Sequence, residues 1–147
     1  MGVKVIEKGK KIPKGARYTL KAGIFENSKY SNGAYIAEVA FWNEYGTISK
    51  KGNQHIPPRP FMRNVTDDKA KMERLAQIAK IELEKGFECE AVANTMGEVL
   101  VDMIKHSIQT GTFTPNAPST IARKGSSRPL IWNGDLLGSI TFKVDKR

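Results

Sequence analysis

The sequence has one cysteine, two histidines and no apolar run able to cross a membrane. A bilayer-spanning helix needs about 20 mostly apolar residues, and nothing here approaches that length. Cys89, alone, excludes an internal disulfide framework and suits a reducing compartment. Residues 1–14 mix lysines with isolated Val and Ile, so they lack the apolar core of a signal peptide. Ile6 stands where a myristoylation signal beginning at Gly2 needs Ser or Thr. The expectation is a protein made and used inside a cell, without contact with a membrane.

Groups that move protons, attack carbonyls or hold metals are equally sparse. His55 sits in a Gly-rich loop beside Pro57-Pro58 and His106 lies near a helix end, and neither has a second ligand at metal-binding spacing. Cys89 lies among Glu82, Glu84, Glu88 and Glu90, the opposite of the electropositive setting that activates a thiol. No glycine-rich phosphate loop or dinucleotide fingerprint is present. Asp67-Asp68 is a carboxylate pair best explained as helix-start charge. No catalytic residue, metal site or cofactor is therefore expected, and a small hydrolase is the weakest functional class.

A net charge of +9 raises the alternative of a basic nucleic-acid-binding protein. The excess lies at the ends: residues 1–51 carry ten Lys/Arg against four Asp/Glu, and residues 111–147 six against two. Residues 67–110, the helical middle, carry six against nine. A duplex-reading protein concentrates cations on one helix or sheet face. Scattered cations with few aromatics among them predict incidental polyanion affinity instead.

Residues Arg17–Glu26 alternate, with Tyr18, Leu20, Ala22 and Ile24 on one face, which predicts a strand. After the Ser31-Asn32-Gly33 turn, Ala34–Asn43 is apolar on both faces apart from Glu38 and reads as a buried second strand of a hairpin. Val3–Ile6 suggests a short edge strand. Residues 46–60 are rich in Gly, Pro, Ser, Asn and Lys and predict an irregular loop. A helix capped by Thr66 follows, with Met72, Leu75, Ala76, Ala79 and Leu83 on one face and Ile78 and Ile81 off it. Beyond Gly86 a second helix runs from about Glu88 to Thr110, closed by Gly111. Residues 112–128 predict another long loop, 133–138 a turn or single helical turn, and Ser139–Val144 a last strand. The expected architecture is one α+β domain over residues 1–147. A mainly antiparallel sheet of three to four strands packs on two amphipathic helices, with flexible loops at about 46–60 and 112–128.

Two segments stand out by composition. The first runs Asn43-Glu44-Tyr45-Gly46-Thr47 and then Ile56-Pro57-Pro58-Arg59-Pro60-Phe61-Met62-Arg63. Its prolines stiffen the backbone toward polyproline II and present Arg59, Phe61 and Arg63 as a group. Phe61 reads as a hydrophobic plug and is also a candidate for contact between subunits. The arginines, without an evident duty in the core, are candidates for bridges between subunits, together with Glu44. The second segment carries a cationic arm, Arg123, Lys124 and Arg128, candidates for a subunit contact that orders on binding, followed by an apolar anchor of Pro129, Leu130, Trp132 and Leu136. Ile78 and Ile81 supply spare apolar surface for the same kind of contact.

The series NEYGT…IPPRPFMR, then F-x-P-N-x-P-x-T-I-x-R-K-G-S and R-P-L-I-x-N-G-x-L-x-x-S-I, resembles phage virion-morphogenesis proteins. The closest groups are the tail-completion or neck (head–tail joining) proteins and minor tail proteins of lambda-like and Mu-like phages. The likeness spans roughly residues 34–144 and is most specific from Phe113 to Ile140. Trp132-Asn133 departs from the acidic residue and Thr that such sequences often have before the glycine. The resemblance implies a structural oligomer of the virion, assembled in the bacterial host cytoplasm. Its subunits would form a ring, often sixfold, that meets neighbouring tail or connector proteins, with packaged DNA nearby but not specifically bound. Tail completion, tail termination and another minor tail role stay open as alternatives. One contact to expect is the 46–63 or 112–128 loop against the Glu90/Glu98/Asp102 face of a neighbour.

Overall fold

The computed structural model describes residues 17–25, 27–131 and 134–147, so the edge strand expected at Val3–Ile6 and the anchor residue Trp132 fall outside the described residues. Strand β1 (Tyr18–Gly23) forms where alternation predicts it. Asn32 Oδ1 accepts the Ala34 N–H at 3.1 Å and shapes the turn that follows. The chain then enters helix α1 (Ile36–Tyr45), not the second strand of a hairpin. The reason lies in the composition: a run that is apolar on every side has no period to read, and strand and helix look alike in it. Ala37 and Ala40 favour helix, and Ile36, Ala40 and Glu44, four residues apart, form its buried stripe.

The loop expected to be irregular from 46 to 60 holds a small antiparallel hairpin, β2 (Thr47–Ile48) and β3 (Gln54–Ile56). Gly46 makes the corner between α1 and β2 at φ 74°. A β-carbon on Gly46 would come 2.8 Å from the Ile56 carbonyl oxygen and 3.0 Å from the Pro58 ring. Gly46→Ala is expected to cost about 1–3 kcal/mol through strain and crowding together, measured as a lower urea midpoint.

Helix α2 (Arg63–Thr66) leads into α3 (Lys69–Glu84) and α4 (Cys89–Thr110). Thr66 belongs to α2, and the cap of α3 is Asp68, whose carboxylate accepts the Lys71 N–H at 3.1 Å. Lys71 Nζ also sits 3.0 Å from that carboxylate, and this hydrogen bonding holds Asp68 below the usual carboxylate range. Leu75 and Ala79 of α3 are buried, with Met72, Ala76 and Leu83 half-buried beside them. On α4 the buried positions are Val92, Ala93, Gly97, Val101, Ile104 and Ile108, while Glu90, Asn94, Glu98, Asp102 and Gln109 are exposed. The loop expected at 112–128 contains helix α5 (Pro118–Lys124), begun by proline at its first position. Helix α6 (Asp135–Ser139) is the predicted single turn, and β4 (Thr141–Lys146) closes the order.

The architecture is thus mixed helix and sheet, with two small antiparallel sheets of two strands each among the described residues. There the single sheet of three to four strands does not form, and six helices stand where two were expected. β1 pairs with β4 from Tyr18↔Lys146 to Gly23↔Thr141, and α4 packs across both strands and against α3. The core gathers Phe61 and Val65, each 0% exposed, with Ile104, Ile108, Leu136 and Ile140. Phe142 lies on the bare backbone of Gly97, where an added β-carbon would overlap the ring. Gly97→Ala is expected to cost about 1–3 kcal/mol by forcing β4 off α4, seen as a lowered melting temperature. The partnered substitution Phe142→Leu in the same chain should recover part of it.

Candidate functional site

The two segments singled out by composition meet in space, and arginines join them. Arg59 is 6% exposed and lies between α1 and the loop before α5. Its backbone N–H donates to the Asn43 carbonyl at 2.5 Å, and Nη1 donates to Asn43 Oδ1 at 2.7 Å. Nε donates to the Thr114 carbonyl at 2.8 Å and Nη2 to the Pro115 carbonyl at 3.2 Å. Burial lowers its pKa from the ordinary arginine value, yet a guanidinium remains charged, so neutral carbonyl dipoles carry the compensation. One residue thereby ties the hairpin region to a loop 55 positions away.

Glu44, 4% exposed, forms a second tie. Its carboxylate accepts the backbone N–H groups of Met62 at 2.9 Å and Arg63 at 3.0 Å, the donors at the start of α2. It also accepts Arg63 Nε at 3.0 Å, while Arg63 Nη2 donates to the Glu44 carbonyl at 2.6 Å. The guanidinium lies over the Tyr45 ring, 4.7 Å from its centre. Asn116 closes the second segment on itself: its N–H donates to Ser127 O at 3.1 Å and its amide to Arg128 O at 3.0 Å.

Arg59 and Arg63, expected to have no duty in the core, are therefore found to bind within the fold. Glu44, Arg59 and Arg63 clamp the fold, and Phe61 is core. A buried guanidinium can be satisfied by main-chain carbonyls from distant loops, which residue spacing does not display. Charge reversal at these arginines would report on folding rather than on contact with a neighbour. Arg128 is exposed, but its Nη2 donates to the Gln109 carbonyl at 2.6 Å, so the arm is fastened to the end of α4. Pro129 is half-buried, and Leu130, at φ 66°, packs against the core with Leu136. Ile78 is half-buried and Ile81 is 47% exposed.

Around the clamp runs a cleft of about 440 Å³, lined in part by Trp42, His55, Arg59, Arg123, Lys124 and Leu136. Arg123 is exposed; Lys124 is half-buried, and burial together with the charges of Arg123 and Arg59 lowers its pKa. Burial and nearby Asp135 raise the Tyr30 hydroxyl on the same wall. Among the described residues, no group of three His, Cys, Asp or Glu side chains comes together to hold a metal, and no helix is long and apolar enough to cross a membrane.

The surface that spacing alone did not single out is aromatic. Phe41 is 60% exposed and Tyr45 56%, with ring centres 4.9 Å apart, and Ile48 on β2 is 75% exposed. Phe87, in the turn between α3 and α4, is 52% exposed. The signal was present in the all-round apolar character of Ala34–Asn43, which implies burial on both sides. One side of α1 faces the core; the other has no cover among the described residues. No protein family, curated protein or solved structure matches the chain.

Proposed function

We propose that this chain is a non-catalytic structural subunit of a tailed bacteriophage or prophage virion, a tail-completion or neck protein that helps join tail to head. The observation that supports this most is the pairing of an internally clamped frame with uncovered aromatic surface. The polar residues of the two resemblance-bearing segments bind one another, so their role is to fix the position of α1 and its hairpin. Phe41, Tyr45 and Ile48 beside them are exposed, as befits a subunit completed by contact with other proteins. In this reading the second segment is likewise scaffold: Arg59 and Asn116 hold it, and Arg123 and Lys124 face the cleft.

A stop codon placed early in the gene tests the reading. Expected are filled heads and separate tails of normal length, which join when purified protein is added to the lysate. Tails of overrun length would assign the chain to tail termination. A normal yield of joined virions would reject a structural role. Titration with duplex DNA separates the basic nucleic-acid-binding alternative, which requires tight binding whose logarithm falls steeply with salt.

A further inference from the structure

Resting on the reading of the chain as an assembling subunit, we propose that a second copy docks the turn between its α3 and α4 onto the aromatic face of α1 and the β2–β3 hairpin. The first surface carries Phe41, Tyr45 and Ile48, and beside them at the hairpin turn are Lys50 and Lys51. Both lysines are exposed and pair with no carboxylate among the described residues. The second surface carries Ile81 and Phe87, with Glu88 and Glu90 next to them, both exposed and paired with no cation among the described residues. Lys85 nearby is already engaged by Glu82 at 3.3 Å, and Lys80 lies 3.8 Å from Glu84. Each patch thus combines uncovered apolar side chains with unpaired charge, and the two charges are opposite.

The same subunit cannot bring its own patches together. α2 is tied to Glu44 at the start of α3, whereas Ile81 and Phe87 lie at or beyond its far end. The 16 residues of α3 span about 24 Å at 1.5 Å each. Two different, complementary patches held apart on a rigid body make a head-to-tail contact, which leaves one of each patch free for the next copy. A twofold dimer centred on either patch alone would instead place like charge against like.

Charge exchange in the purified full-length chain tests this by sedimentation velocity in physiological salt. One variant carries Lys50→Glu with Lys51→Glu, the other Glu88→Lys with Glu90→Lys. All four positions are exposed, and circular dichroism should show both variants as folded as the parent. The parent is expected to self-associate, and each variant alone to associate roughly a hundredfold more weakly, since like charges now meet. An equimolar mixture should recover parental association, because every contact between the two variants pairs opposite charges. A parent that stays monomeric at all concentrations, variants that associate like the parent, or a mixture that fails to recover would each overturn the docking. None of these results decides the head–tail joining phenotype, which the stop-codon test reads separately.

Discussion

Arg59→Leu should lower stability by about 3–5 kcal/mol, because it strands the carbonyls of Thr114 and Pro115 and the side-chain oxygen of Asn43 in one stroke. For a chain of this size that corresponds to a fall in melting temperature of roughly 10–15 °C. Leucine fills much of the volume, so the loss isolates the hydrogen bonds from the packing. Arg59→Lys should restore little, since one ammonium cannot reach acceptors that a planar fork spans. The loop that Arg59 holds carries Arg123, Lys124 and Arg128, so tryptic cleavage there should accelerate in step with the lost stability. A melting temperature within about 3 °C of the parent would show that the guanidinium is dispensable to the fold.

Glu44→Ala comes next, at about 3 kcal/mol. The Arg63 side chain is 42% exposed and can turn to water, so most of the cost falls on the N–H groups of Met62 and Arg63 left without an acceptor. Arg63→Ala should cost about 1–1.5 kcal/mol, as one charged partner and a ring contact are lost while the backbone donors stay satisfied. The double variant should therefore fall well short of the sum, a coupling measurable by a urea double-mutant cycle. Additive losses would mean that Glu44 and Arg63 do not act as a pair. Glu44→Gln should sit between parent and alanine, retaining one acceptor oxygen but no charge.

The contrast between these residues and the helices shows where sequence is informative. α3, α4, β1 and β4 were legible because each has one wet face and one dry face, and that difference imprints a period on the chain. α1 was not, because Phe41, Trp42 and Tyr45 put apolar side chains on the face away from the core. The same side chains that disguised the helix mark the surface we propose as an interface. The short elements β2, β3 and α5 escaped for another reason: they are held by tertiary ties and turn geometry more than by burial of a stripe, and α5 has no buried residue at all. Arg59 and Arg63 looked like surface charge because arginine is mostly found there. Their acceptors are backbone carbonyls, the Asn43 side-chain oxygen and a glutamate, brought near only by folding, and no residue type announces a main-chain carbonyl. The two segments were visible as compositional oddities, while the ties between them arise only on folding.

The pairing of β1 with β4 joins residues about 120 positions apart, and this fixes the order in which the protein can be completed on the ribosome. Residues 36–110 can form α1 through α4 and much of the Phe61–Ile104 core while the rest is still being made. β1 must then wait, unpaired, until residue 146 has cleared the exit tunnel and Phe142 can seat on Gly97. Until then β1 lacks its partner strand, packed on α4 alone, and the notch that Gly97 leaves in α4 stays unfilled.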